Sequence, residues 1–324
     1  MTLQEANEKQ LARWDSFVDQ SINGTIFHKR KFLAYHGDKF KGKEHFLVVL
    51  KGTEVVAQIS LAFLDGPDGK AAKSPYGASY GGFVFSHCPS YGEGREIVSL
   101  LTAYLRDVGA DTCTITQPIA CCCECPMDTF SYNLLEQGFR SSVRNISSVL
   151  RFQDSRAIFE CVDRNTRHNA KKAAELGVEA RTLTQDELAA AYDILLRHRQ
   201  TKFGVPPTHS KSEFLLLHGM FPDDIYTVGA FADGRMTAGM TCFCINKRVN
   251  SDFYSFQDLD TLKTNSLTVA TLYGLTEAQR RGFQYFDFGT TTIGMDANAP
   301  LFEYKESFSC SGMFRETFVW KKEE

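Results

Sequence analysis

Apolar and polar positions along the chain fall into a pattern that occurs twice. Leu11, Trp14, Phe17 and Val18 recur at helical intervals, and Thr2 with Glu5 has capping-box spacing, so a helix is expected at the start. A short helix follows over 31–35. The runs 46–50 and 55–63, separated by Lys51-Gly52-Thr53, predict a hairpin. Gly66, Pro67 and Gly69 mark a loop, and 80–85 reads as another strand. Ser90 and Glu93 open a helix with Ile97, Leu100, Leu101, Tyr104 and Leu105 on one face, and Gly109 closes it. A strand over 112–116, a helix over 130–137 and a strand over 146–152 complete the first set.

The order then returns. Thr184 and Glu187 cap a helix carrying Leu188, Ala191 and Leu195. The runs 226–231 and 236–245, around Ala232-Asp233-Gly234, predict a second hairpin, and 253–256, with Tyr254, a strand. Asn265 caps a helix bearing Leu267, Thr271, Leu275 and Ala278, which Gly282 ends, and 285–288 is the next strand. Element order repeats more clearly than residue identity. The chain is therefore read as two copies of one mixed α/β unit, residues 1–153 and 154–324, joined near 153–163.

Composition narrows the function. A length of 324 residues suits two domains of roughly 150 each. With 43% hydrophobic and 23% charged residues, both a core and a polar surface are available, and the 26 Phe suit aromatic-rich sheets. A net charge of −3 gives no overall basic field, so DNA is not an expected partner. No apolar run reaches the ~18 residues of a membrane span, and the charged opening 1–17 is no secretory signal, so a cytoplasmic protein without membrane insertion is expected. The ten Cys are then expected as thiols. Cys121, Cys122, Cys123 and Cys125 are crowded into one short run, poorly placed to close tetrahedrally on one ion, and have no nearby His, so they read as a loop and no metal is expected. Phosphate-loop, HExxH and GxGxxG motifs are absent.

Some residues carry candidate chemistry. Arg164, Arg167 and Lys171 stand at i, i+3, i+7 on a basic helix, which reads either as a phosphate clamp or as a solvated face. Lys202 and Phe203 precede Gly204-Val205-Pro206-Pro207, a rigid loop that either lines a cleft or simply stops a helix. In Tyr285-Phe286-Asp287-Phe288, alternation puts the two Phe on one face and Asp287 on the other, where a carboxylate is costly to bury without a purpose. Gly289 lets the chain splay there. Lys305 follows among Phe302, Tyr304 and Phe308, where an ammonium can hold an oxyanion or a phosphate.

Four stretches together resemble the GNAT acetyltransferase fold in its duplicated, Fem-type form: Ser74-Pro75-Tyr76-Gly77-Ala78-Ser79-Tyr80-Gly81-Gly82, the helix Arg164–Ala173, Phe286-Asp287-Phe288-Gly289-Thr290, and Phe302-Glu303-Tyr304-Lys305-Glu306-Ser307-Phe308. The resemblance implies two tandem GNAT-like domains with a cleft between them. It implies transfer of an acyl group from an activated donor, acyl-CoA, to an amine or hydroxyl of a sugar, nucleotide-sugar or cell-wall precursor. It carries Lys305 onto the lysine that contacts the activated acyl group and gives Asp287 no firm role, so a catalytic Asp287 and an Asp287–Lys305 ion pair that only pins the strand both stay open; candidate substrate contacts are Tyr76, Tyr80, Arg164, Arg167, Lys171, Lys202, Phe203, Tyr254 and Asn265. The coenzyme loop Q/R-x-x-G-x-G/A departs from pattern, being Asp260–Asn265 in the second half and Pro89–Gly94 in the first. Aminoacyl-tRNA therefore stays open as the donor, and so does a non-catalytic domain that binds a glycan or nucleotide.

Overall fold

Both predicted hairpins are present in the computed structural model, which describes residues 1–66, 69–153 and 156–322. The loop reading of Pro67 and the domain start at residue 154 lie outside the described residues. The chain begins with β1 (Thr2–Glu5), α1 (Glu8–Gln20), α2 (Arg30–Leu33), β2 (Glu44–Lys51), β3 (Glu54–Gly66) and β4 (Gly69–Ser74). It continues with β5 (Val84–Phe85), α3 (Tyr91–Asp107), β6 (Thr112–Thr116), α4 (Asp128–Glu136) and β7 (Arg140–Arg151). Next come α5 (Ile158–Cys161), α6 (Arg164–Glu175), β8 (Glu179–Thr182), α7 (Leu188–Phe203), α8 (Lys211–Met220), β9 (Ile225–Ala232), β10 (Arg235–Cys244) and β11 (Val249–Gln257). The remainder is α9 (Ser266–Arg280), β12 (Tyr285–Thr290), β13 (Thr292–Ile293), β14 (Asp296–Ala297), α10 (Ala299–Glu306) and β15 (Ser311–Lys321).

The chain divides into two units. Unit 1 is Met1–Ile146 with Thr292–Asp296 and Met313–Glu324, and unit 2 is Ser147–Thr291 with Ala297–Gly312. In unit 1 the strands run in the order β1-β2-β3-β4-β6-β15, with β5 alongside β3. Neighbours are antiparallel except β4 and β6, which run parallel because α3 crosses between them. The inner face of α3 (Val98, Leu101, Leu105) packs on Leu47, Ile59 and Ile115, with Phe318 and Trp320 of β15 in the same core. In unit 2 the order is β12-β11-β10-β9-β8, and only β11–β12 is parallel, again across a helix, α9. Ala270, Leu275 and Ala278 of α9 bury against Met240, Cys242 and Phe286 on one sheet face. Leu188, Ala191 and Leu195 of α7 and Phe214 of α8 bury against Tyr254 and Phe256 on the other. The repeated unit is therefore hairpin, strand, helix, parallel strand.

The structure corrects several expectations. Residues 2–5 are a strand paired to β2, and the helix starts later, where the Asn7 side chain and Gln10 form the capping box. The Thr2–Glu5 spacing was fortuitous, since edge pairing satisfies those backbone groups. The strand that parallels β6 is β4, in the stretch read as a loop, whereas of 80–85 only Val84–Phe85 is strand. The thiol expectation fails at one pair: Cys88 and Cys125, 37 residues apart, form a disulfide, and the other eight Cys are thiols. Neighbouring cysteines do not pair with each other; folding brings a partner to Cys125 from another loop.

Candidate functional site

The site grows from the parting of two strands in unit 2. β11 and β12 run parallel through Val249–Tyr285, Asn250–Phe286 and Ser251–Asp287, and pairing stops there while β11 continues to Gln257. Gly289 takes φ 72°, a left-handed conformation that favours glycine, and the register of β12 on β7 shifts between Asp287 and Thr290. Phe286 and Phe288 meet with ring centroids 4.9 Å apart in the core, as alternation requires, so Asp287 projects the other way.

α10 delivers the lysine. The Asn298 side chain accepts from the Leu301 N–H to start the helix, with proline in its first turn. Lys305 in its last turn is only 5% exposed. Its Nζ donates to the carbonyls of Gly289 (2.8 Å) and Thr290 (2.9 Å) and to Thr291 Oγ1 (3.2 Å). An ammonium has three protons, so each has an acceptor. Thr291 Oγ1 lies 2.6 Å from Ser148 Oγ, which extends the chain of hydroxyls. Asp287, 3% exposed, accepts from the Gly289 N–H at 2.8 Å and so fixes the turn that presents those carbonyls.

A second carboxylate completes the cluster. Asp252 follows the last parallel rung on β11, and its carbonyl oxygen is 3.8 Å from where a Cβ on Gly289 would stand. Its Oδ2 accepts from the Ser255 hydroxyl at 2.7 Å, while Oδ1 is closed to solvent and has no hydrogen-bond partner. Burial pushes its carboxyl up to about 6. Burial pulls Lys305 below the ordinary lysine value, opposed first by the field of Asp252 and then by that of Asp287. Tyr304 and Cys310 border the cluster, and burial raises both; the Tyr304 hydroxyl is 3.1 Å from Thr271 Oγ1.

Of the residues singled out in the sequence, Asp287 and Lys305 come together here. Arg167 spends its guanidinium on the carbonyls of Val162 (2.6 Å) and Glu160 (3.3 Å), while Arg164 and Lys171 lie on the exposed side of α6. Lys202 and Phe203 end α7, where the cations of Arg199 and Lys202 lie over the Phe203 ring at 5.1 and 5.4 Å. Tyr254 is buried with its hydroxyl 3.0 Å from His209 Nδ1, and burial pushes it up to about 12. Asn265 precedes α9 at φ 54° without a side-chain cap bond. Tyr76 and Tyr80 are buried in unit 1. Burial raises the Tyr76 hydroxyl, and the Arg315 guanidinium covers the Tyr80 ring at 4.8 Å. Sequence reasoning missed Asp252, Thr291 and Ser148. Asp252 carried a weaker signal than Asp287, since Ser251 precedes it and the strand read from sequence began only at Phe253.

Coenzyme phosphates need backbone N–H groups at a helix start. At α3 that position is closed by the chain itself: Ser90 and Glu93 form a capping box, and Glu93, 2.9 Å from Lys51 Nζ, is held down to about 2. A phosphate would meet that carboxylate, so the residues there do not fit the group. The start of α9 has no side-chain cap and has Lys263 before it, but the stretch Asp260–Asn265 lacks the glycines of the coenzyme pattern. Among the described residues no set of three or more His, Cys, Asp or Glu is arranged to hold a metal ion. No helix among them is long and apolar enough to cross a membrane.

No protein-family profile and no curated protein matches the sequence. Solved structures do match. FemX aligns over 99% of this chain and 98% of its own, with a TM-score of 0.75 at 12% identity. A tandem GNAT protein from the clavulanic acid biosynthesis pathway aligns over 99% and 97%, with 0.56 at 14%. L-PGS from Bacillus licheniformis aligns over 99% and 94%, with 0.58 at 11%. With the strand–helix–strand repeat in each unit and the parted strands in unit 2, the chain has the duplicated GNAT fold of Fem-type proteins.

Proposed function

We propose that this chain is an acyltransferase. It moves an acyl group from acyl-CoA to an amine or hydroxyl of a sugar, nucleotide-sugar or cell-wall or polysaccharide precursor. The observation that carries the reading is the buried Lys305 ammonium at the parting of β11 and β12. An acyl carbonyl seated in that gap meets a positive charge in a low-dielectric setting, where developing oxyanion charge is strongly stabilised. Attack by the acceptor forms the new C–N or C–O bond, the bond to the donor's sulfur breaks, and the acceptor's proton leaves to a base or to the departing group. Asp287 holds the Gly289 turn, and its field favours the charged form of Lys305.

An aminoacyl ester such as aminoacyl-tRNA is the second donor reading. The glycine-free stretch Asp260–Asn265 and the self-capped α3 favour it, since both depart from the coenzyme loop. A thermal-shift screen of acyl-CoAs, UDP-sugars and aminoacylated RNA separates the readings, because a ligand that binds only the folded state raises its melting temperature. A rise with acyl-CoA, and acyl transfer in the same mixture, is expected. A rise with UDP-sugars alone, without transfer from any donor, would make the chain a binding module.

A further inference from the structure

Where two strands part, each loses its neighbour as a hydrogen-bond partner. In unit 2 the Lys305 ammonium binds the carbonyls of Gly289 and Thr290, just past the last rung that β12 shares with β11. A bound donor arm that carries amide N–H groups competes for the same carbonyls. The ammonium must then find another acceptor, because a buried cation without partners is costly. Asp287 Oδ1 is already engaged by the Gly289 N–H. The Asp252 backbone lies beside Gly289 on the neighbouring strand, its carboxylate acts on Lys305 more strongly than that of Asp287, and its Oδ1 is buried without a hydrogen-bond partner among the described residues.

We infer that Asp252 Oδ1 is a second seat for the Lys305 ammonium, taken up when a donor claims the carbonyls of Gly289 and Thr290. Asp252 is thus a positioning residue for the transfer. The inference rests on the acyl-donor reading above. The exchange breaks two bonds to neutral carbonyls and makes one charge-assisted bond to a carboxylate, so the ammonium stays paired throughout. It also accounts for an otherwise unfavourable feature, a carboxylate oxygen buried with nothing to bind. The charged and titratable groups facing Asp252 are Lys305 and Tyr304 of α10, Asp287 of β12 and Cys242 of β10, with Ser255 on its own strand. Protonation of Asp252, centred at about 6, removes the seat, so turnover falls as pH drops through that value.

The test compares wild type with Asp252→Asn and Asp252→Glu, in ligand-free melting at pH 5 and 7.5 and in turnover against pH. Asp252→Asn is expected to melt at or above wild type at pH 7.5. Its kcat should fall at least ~10-fold with KM for the acceptor unchanged, and the acid limb near pH 6 should vanish. Asp252→Glu should recover part of the rate. Asp252→Asn melting well below wild type at pH 7.5 would make the residue structural and overturn the inference. Asp252→Asn turning over like wild type overturns the inference alone. Wild type that accepts no acyl-CoA and no aminoacyl ester removes the acyl-donor reading, and the inference with it.

Discussion

Lys305 holds α10 to β12 through bonds to Gly289 and Thr290, with a third to Thr291 just past the strand, and also places a cation where the strands part. The two roles separate on substitution. Lys305→Met should lower turnover by roughly 100-fold or more, the scale for losing an oxyanion donor. It should also cost about 1–3 kcal/mol of stability, because buried carbonyls lose their donor. Turnover and chemical denaturation of one preparation check both, and near-wild-type turnover removes Lys305 from the mechanism. Asp252 acts in the opposite sense. Its folded value, about 6, lies above that of an ordinary carboxylate, so the folded state binds the proton more tightly than the unfolded chain does. Its contribution to stability is therefore full below about pH 4 and is lost as pH rises through about 6. At this scale the sequence was informative where charge interrupts aromatic runs, as at Asp287 and Lys305. Thr291 and Ser148 carried no such signal, because hydroxyls fit either face of a strand.

Capping chemistry is local, so some helix starts were legible, although the Thr2–Glu5 box did not form and Asn265 makes no side-chain cap bond. The boxes at Ser90–Glu93 and Thr184–Glu187 form as the spacing predicts, and Gly204 ends α7 in the left-handed conformation. Pairing was less legible. β4 carries Gly69, Lys70 and Lys73 and lacks clear alternation, and only its place between β3 and β6 makes it a strand. The same limit hid the Cys88–Cys125 bond, which ties the loop after β5 to the loop before α4. Closing a 37-residue separation restrains the unfolded chain by about 3–4 kcal/mol in the chain-entropy view. Cys88→Ser should therefore lower the melting temperature by several degrees, and dithiothreitol should bring wild type to the same value. A reductant-insensitive wild type would show that the bond adds no stability.

Across the whole chain, the repeated element order was readable and the destination of β15 was not. Alternation tells which face of a strand is buried but not which strand lies beside it. β15 pairs with β6 from Thr317–Thr116 to Lys321–Thr112 and places Phe318 and Trp320, 1% and 2% exposed, in the core of unit 1. Deleting residues from Ser311 onward removes both side chains, at about 3–5 kcal/mol each by analogy with aromatic truncation, more than half the stability of an ordinary domain. Limited proteolysis of that truncation should degrade residues 1–146 quickly and spare a fragment beginning near Ser147. Equal resistance of both halves would show that unit 1 stands without β15.

The place of β15 also bears on biosynthesis. A ribosome releases residues 1–146 first, yet their sheet waits for a strand made after all of unit 2. The stretch 147–312 holds its own core apart from the short insert 292–296, so the half translated second is the half able to finish folding first. Until translation reaches Lys321, β6 has an open edge on the side that β15 later covers, where a holdase or a second nascent chain can pair.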